Sequence, residues 1–186
     1  KSLKNSAPIV IFGFTFVLYH TVFKALKERG IVLNLPPGSQ VIHIGGWKKL
    51  EEKKVDKAIF NADISGVFGI NSDDVIDIYG FTEQMGLNYP DCKAGWKHLP
   101  VYSEVLIRNE IDLSICPDGT IGLLEFISPL QHSYPGNVVL TDDLGISRTG
   151  ECECGYVGRR FKVLGRAQKA EVRGCGDIMS DKIANV

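Results

Sequence analysis

Four groups of residues in this chain have types and spacings that could do chemistry. Cys92 and His98 stand in YPDCKAGWKHLP, and Cys152 and Cys154 in GECECG. Three thiols and an imidazole are a donor set suited to tetrahedral, structural Zn²⁺, although a long stretch of sequence separates the halves. In DIYGFTEQMG, Tyr79, Gly80, Thr82 and Glu83 follow an apolar run. An aromatic face, a hydroxyl and a carboxylate at a strand end can stack a base, touch a phosphate and hold Mg²⁺. Gly45, Gly46 and Trp47 close another apolar run, where glycine lets backbone approach a ligand. VLTDDLG sets Asp142 and Asp143 after a strand, and VLGRAQ sets Arg166 after a further one. A carboxylate accepts from ribose hydroxyls, and arginine donates to a diol or a phosphate. Each motif alone also reads as an ordinary turn.

The elements that must position these residues come in two styles. APIVIFGFTFVLY reads as strand with a bend at Gly13, HTVFKALKERG as a helix ending at Gly30, and VIHIGG as a second strand. From Trp47 a helix is expected whose buried face carries Leu50, Val55, Ala58, Ile59 and Ala62, with Lys48, Lys49, Glu51, Glu52, Lys53 and Lys54 solvated. DDVIDIYG is the third strand. After Pro100 the runs VYSEVLIRN, TIGLLEFIS, NVVLTDD and the stretch through RRFKVLGR are short strands between Pro, Gly and Asp turns. The fold expected is α/β: residues 1–98 an α/β part, 99–164 a small antiparallel β-barrel, and 165–186 a hinge and tail.

Composition narrows the function. A net charge of −1 supplies no global basic field for nucleic acid or anionic lipid. The longest apolar stretch, Ile9 to Phe23, carries Gly13, Thr15, His20 and Thr21, and falls short of the roughly 20 residues a transmembrane helix needs. Five cysteines, an odd number, point to thiols used for metal or chemistry in the cytoplasm rather than to a disulfide framework. Cys116 reads as a turn or core thiol, and His20 and His43 as packed or capping residues. Phe12, Phe14 and Phe16 read as core, with an acyl pocket the alternative. No signal-peptide pattern is visible, and the chain opens Lys1-Ser2-Leu3 without Met, so a fragment is expected.

The order of the motifs, YGxTE, then TxDLG, then a strand ending LGR, resembles the adenylate-forming superfamily. VIHIGGWKKLEEKKV, DIYGFTEQMGLNYP, SPLQHSYPGNVVLTDDLG and VLGRAQKAEVRGCG are most similar to acyl-protein synthetases of the LuxE type, and more distantly to phenylacetate–CoA ligases. The resemblance covers nearly the whole chain. It implies the C-terminal half of the large adenylating domain followed by its small barrel. The implied reaction joins a fatty carboxylic acid and ATP, with Mg²⁺, to acyl-AMP, and then passes the acyl group to a thiol. Gly45, Gly46 and Trp47 would sit beside adenine or the acyl chain. Tyr79 would stack on adenine with Gly80 in the same cofactor-binding turn. Thr82 and Glu83 would meet phosphate and Mg²⁺, Asp143 the ribose, and Arg166 the ribose or phosphate, just before an interdomain hinge near Gln168. Cys175, in VRGCGDIM, matches the family's acyl-accepting cysteine, which would hold a thioester for a partner protein. His132 falls in a segment near the active-site face. Some phenylacetate–CoA ligase-like proteins carry a similar Cys-His and Cys-x-Cys set.

Two family features are missing from the sequence: the Ser/Thr/Gly-rich phosphate loop and a full C-terminal lid with its lysine. This chain alone is therefore expected not to adenylate at a useful rate, and sheet surface left bare should favour dimerisation. Two other readings compete: an acyl- or aryl-CoA ligase, and a non-catalytic, zinc-stabilised module of the same fold.

Overall fold

The computed structural model describes residues 7–47 and 54–167. Leu50, most of the charge run after Trp47, the hinge position Gln168 and Cys175 lie outside them. The chain divides into two compact units between Ile78 and Tyr79. That break comes before position 98, where the sequence put it, because Leu87, Tyr89 and Leu99 all pack into the second core.

The first unit is built on strands β1 (Val10–Phe14), β2 (Gln40–Ile44) and β3 (Val75–Tyr79). They are parallel, with Phe12 opposite Ile42 and Ile42 opposite Ile76. Between β1 and β2 runs one helical stretch: α1 (Thr15–Val17), a π-helical segment (Leu18–Phe23) and α2 (Lys24–Glu28). It starts five residues ahead of the helix expected from His20. Thr15, Phe16, Leu18, Tyr19 and Phe23 are all buried on it, and that burial outweighs the β preference of the run. Gly13 is no bend but a strand residue. A Cβ there would stand 3.2 Å from Leu18 Cγ, so its hydrogen leaves room for the helix to turn back.

Helix α3 (Lys57–Phe68) leads into β3. Asp56 caps it, accepting from Ala58 N at 2.8 Å. Gly69 ends it at φ +68°, the left-handed conformation that glycine adopts freely. The buried face is Phe60, Ile64, Val67 and Phe68; Ala58, Ile59 and Ala62, expected inside, are exposed. The phase follows the bulkier side chains, which fill a core with Tyr19, Phe23, Val41, Trp47 and Val75. On β1, Phe16 beyond the strand is buried while Val10 and Phe12 are exposed.

The second unit holds a short β4 (Tyr89–Pro90) and an antiparallel sheet. Its strands are β5 (Lys97–His98), β6 (Glu104–Arg108), β7 (Gly122–Ile127), β8 (Val138–Arg148) and β9 (Arg160–Arg166), in the order β5-β9-β8-β7-β6. Among the described residues β5 and β6 do not pair, so the sheet is open where the sequence suggested a small barrel. Alternation places Val105, Ile107, Leu124, Phe126 and Phe161 on the inner face. At Gly145 the strands approach so closely that a Cβ would collide with the Lys162 carbonyl oxygen. No described helix is long and apolar enough to cross a membrane.

Candidate functional site

In the first unit β2 ends where the sequence placed glycines. Gly45 has φ +83°, a turn a larger residue would resist. Thr15, at the end of β1, ties this turn down: its hydroxyl lies 2.5 Å from Gly45 O and 2.9 Å from His43 Nδ1. The hydroxyl has one proton and donates it to the carbonyl, so the imidazole Nδ1–H donates to the threonine oxygen. Asp77 Oδ1 stands 3.8 Å from the same nitrogen. Trp47 is buried, edge-on to Tyr19, His20 and Phe60.

The second unit assembles the next group. Tyr79, the last residue of β3, donates its hydroxyl to Asp143 Oδ2 at 2.7 Å. Arg166 reaches the same carboxylate, Nε to Oδ1 at 3.5 Å, and gives Nη2 to Asp142 Oδ2 at 3.1 Å. β8 and β9 set Asp143 directly opposite Arg166. Burial pushes the Asp143 carboxyl above its ordinary value; the Tyr79 bond and the Arg166 charge pull the other way, and Asp142 and Glu83 add to the rise. Burial, then the Asp143 charge, likewise drives the Tyr79 phenol strongly upward. The Tyr79 ring is engaged too, packed against Phe81, Phe126 and Phe161 with centroids 5.7–6.0 Å away.

Thr82 and Glu83 are exposed on a 3₁₀ turn, Thr82–Gln84. The segment between β7 and β8 holds that turn. Tyr134 gives its hydroxyl to Glu83 O at 2.6 Å, with Thr82 O at 3.0 Å. Gln84, fully buried, donates to Gly136 O at 2.9 Å and Phe126 O at 3.3 Å. Gly136 presses on the Glu83 carbonyl so closely that no Cβ would fit. A Cβ on Gly80 would stand 2.7 Å from Asn88 Oδ1, a side-chain end that can move, and 3.2 Å from Leu87 O. His132 is exposed on the same loop. Gln84 and Tyr134 were not singled out in the sequence; a glutamine next to the YGFTE turn was the one available signal.

The two cysteine motifs, distant in sequence, meet. The ligand atoms of Cys92, His98, Cys152 and Cys154 all lie within 4.8 Å of one another. Two turns of the same design present them. In one, Cys92 N donates to Trp96 O and Gly95 N to Cys92 O; in the other, Cys152 N donates to Tyr156 O and Gly155 N to Cys152 O. Each glycine has positive φ, +69° and +90°. β5 brings His98 alongside, its ring 4.3 Å from that of Tyr156. Cys92 Sγ and Cys152 Sγ are 3.9 Å apart, and His98 Nε2 is 3.2 Å from Cys154 Sγ. A tetrahedral zinc with Zn–S bonds of about 2.3 Å needs sulfurs about 3.8 Å apart, so the set fits the ion. Burial, helped by the Arg160 charge, keeps the His98 imidazole below its ordinary pKa and so neutral, the form that binds metal. Burial raises the Cys92 thiol, whereas a backbone hydrogen bond from Tyr156 favours the Cys154 thiolate. Cys116 lies away from this set and is half-buried.

Residues 1–184 match the family model described as acyl-protein synthetase, LuxE. A long-chain-fatty-acid–luciferin-component ligase of Aliivibrio fischeri is 28% identical over 187 residues, covering 97% of this chain and 48% of the relative. The Vibrio harveyi protein of that name is 26% identical over 155 residues, covering 83% and 40%. The chain thus spans about half the length of the relatives it matches. Among solved structures, a 2-hydroxyisobutyryl-CoA ligase in an open conformation superposes with a TM-score of 0.67 at 16% identity, over 87% of this chain and 34% of that one. A benzoate CoA ligase from Burkholderia xenovorans LB400 gives 0.52 at 17% identity, over 88% and 32%. At such identities the likeness is one of fold: the α/β fold of adenylate-forming ligases.

Proposed function

From a chain that belongs to the LuxE acyl-protein synthetase family, we propose that the complete protein activates a long-chain fatty acid with ATP and passes the acyl group to a protein thiol. The observation that carries this reading is the Tyr79–Asp143–Arg166 cluster beside the Thr82–Glu83 turn. Asp143 accepts one hydrogen bond from Tyr79 and keeps lone pairs for the two hydroxyls of a ribose. Arg166 sets a permanent positive charge beside them. ATP with Mg²⁺ would supply the leaving pyrophosphate and the charge that stabilises the pentacoordinate phosphorus. Glu83 could help there only through a cation, since a bare carboxylate repels that charge. Gly45 and Gly46, in their Thr15-held turn, serve close backbone approach to the ligand. Trp47 then acts by bracing that turn from the core, and Tyr79 by fixing Asp143 as well as by any contact with the base.

Cys175, outside the described residues, is the proposed acyl acceptor, and a partner protein receives the acyl group from it. The Cys92, His98, Cys152 and Cys154 set holds a structural zinc ion. It has no open position for a substrate, and it braces the hairpins around β5. Unpaired thiols suit a reducing compartment, and we place the protein in the cytoplasm. The fold likeness to CoA ligases favours one second reading, CoA as the acceptor.

The test uses the complete protein with ATP, Mg²⁺ and a series of carboxylic acids, first without CoA, read by intact-protein mass. An adduct that hydroxylamine removes and Cys175→Ser abolishes is the expected result. Acyl-CoA formed only once CoA is added, with Cys175→Ser fully active, would move the protein to the CoA ligases. Neither product, together with no ATP binding, would leave a non-catalytic module.

A further inference from the structure

The outer face of the second sheet gathers three cations around one indole. Ser147 and Phe161 point inward and are buried. Their neighbours Arg148, Arg160 and Lys162 therefore stand on the other face. Arg148 and Arg160 are direct cross-strand partners, a pairing of like charges that costs stability. Trp96, just before β5, lies across all three. Its ring centroid is 5.8 Å from the Arg148 guanidinium, 5.2 Å from that of Arg160 and 4.5 Å from Lys162 Nζ.

Several other cations of this unit are matched by carboxylates. Arg108 pairs with Glu125, Lys97 with Asp91, Arg159 with Glu104, and Arg166 with Asp142 and Asp143. Among the described residues no carboxylate lies within 4.0 Å of Arg148, Arg160 or Lys162. Arg160 is held in place by its bond to Gly150 O at 2.9 Å, while its buried Nε has no hydrogen-bond partner. A zinc ion bound by three thiolates and a histidine would carry one net negative charge, which leaves the cluster with a surplus of positive charge.

We propose that Trp96, Arg148, Arg160 and Lys162 form a binding site for a phosphoryl group. Three cations converge on one ring, so they match a compact, multiply charged anion better than an extended acidic protein surface. Two guanidinium forks offer paired N–H donors of the kind a phosphate takes. The site is separate from the Asp143–Arg166 group. Arg148 stands five positions beyond Asp143 on β8, roughly 16 Å along a strand. It therefore does not depend on the proposed ATP chemistry. The phosphoryl group could be inorganic phosphate or part of a nucleotide-bearing thiol cofactor.

The experiment follows the tryptophan indole N–H signals by NMR. The chain has two tryptophans, and Trp96→Phe assigns them. Inorganic phosphate and adenosine 3′,5′-bisphosphate are titrated separately at fixed ionic strength, with sodium chloride as control. The expected result is a saturable shift of the Trp96 signal with Trp47 unmoved, and binding at least about tenfold weaker in Arg148→Ala and in Lys162→Gln. Saturation by both compounds assigns the site to phosphate as such; saturation by the bisphosphate alone assigns it to the nucleotide carrier. A response no larger than that to chloride overturns the proposal. So does a shift produced by polyglutamate and by neither phosphate compound, which would make the patch a protein-docking surface.

Discussion

Replacing Tyr79 with phenylalanine removes one hydroxyl and leaves the ring packing intact. In the wild type that hydroxyl donates at 2.7 Å to a largely buried carboxylate. A hydrogen bond to a charged group contributes about 1.5–3 kcal/mol. Urea slopes are about 2 kcal/mol per molar, so the unfolding midpoint should fall by about 1 M. The sign of the pH dependence follows from Asp143, whose carboxyl burial holds above its ordinary value. Near neutral pH the folded protein bears the cost of an ionised, half-desolvated Asp143, partly offset by Tyr79 and Arg166. As pH falls through the folded value the carboxyl protonates, that cost vanishes, and the bond becomes one between neutral groups contributing about 0.5–1.5 kcal/mol. The penalty of Tyr79→Phe should therefore be largest near neutral pH and shrink on acidification. Asp143→Asn should absorb most of it, a coupling of about 1–2 kcal/mol in the double-mutant cycle. Equilibrium urea unfolding of the four proteins at about pH 7.5 and at about pH 3, below the ordinary carboxylate value, reads all of this. A loss under about 0.5 kcal/mol at neutral pH, or an equal loss at both pH values, would refute the reasoning.

Gly69→Ala puts a Cβ 2.8 Å from Asn34 Cα at φ +68°; thermal unfolding should show a loss of about 1–3 kcal/mol. Gly136→Ala would drive a methyl group into the Glu83 carbonyl, so it should displace the Thr82–Gln84 turn and lower acid-dependent pyrophosphate exchange by the complete protein at least about tenfold. Atomic absorption should find one zinc per chain, lost in Cys152→Ser. Acid should release it, because protons compete for thiolate and imidazole, and a chelator should lower the melting temperature.

Motifs at strand ends were legible in the sequence because period-two apolar runs and glycines mark where strands stop. That is why Gly45, Tyr79 and Arg166 fall at strand ends as expected, whereas Asp142 and Asp143, expected after a strand, lie inside β8, because the strand runs on through the polar Thr-Asp-Asp to Arg148. The face of α3 was not legible, since Ala58, Ile59 and Ala62 follow a helical spacing as well as Phe60, Ile64 and Val67 do. Only the volume of the core decided between them. The meeting of Cys92 and His98 with Cys152 and Cys154 depends on β5 pairing with β9, a contact no local pattern encodes. The repeated Cys-x-x-Gly-aromatic turn, at Cys92 to Trp96 and at Cys152 to Tyr156, was the available signal. Trp47 and Tyr79 show a further limit: an aromatic that closes a strand looks the same in sequence whether its ring stands open or packs on neighbouring rings, as both do here.

Strand β9 connects the parts of the second unit. Its last residue, Arg166, meets Asp142 and Asp143; Phe161 fills the core against Tyr79, Tyr89 and Phe126; and Arg160 lies beside His98 and Trp96. Its two edges are unequal. β8 pairs with it from Asp143–Arg166 to Arg148–Arg160, whereas β5 adds only Lys97–Phe161 and His98–Arg160. A two-residue strand is too short to hold its own place. Cross-links from Cys92 and His98 to Cys152 and Cys154 would supply the missing restraint. A metal there stabilises the weak edge, where Trp96 and the cations gather, while the longer β8 ladder keeps Asp143 opposite Arg166 with or without it. A metal held there would then act on the architecture of the outer face and leave the Asp143–Arg166 pairing unchanged, as expected of a structural site at the other end of β9 from Arg166.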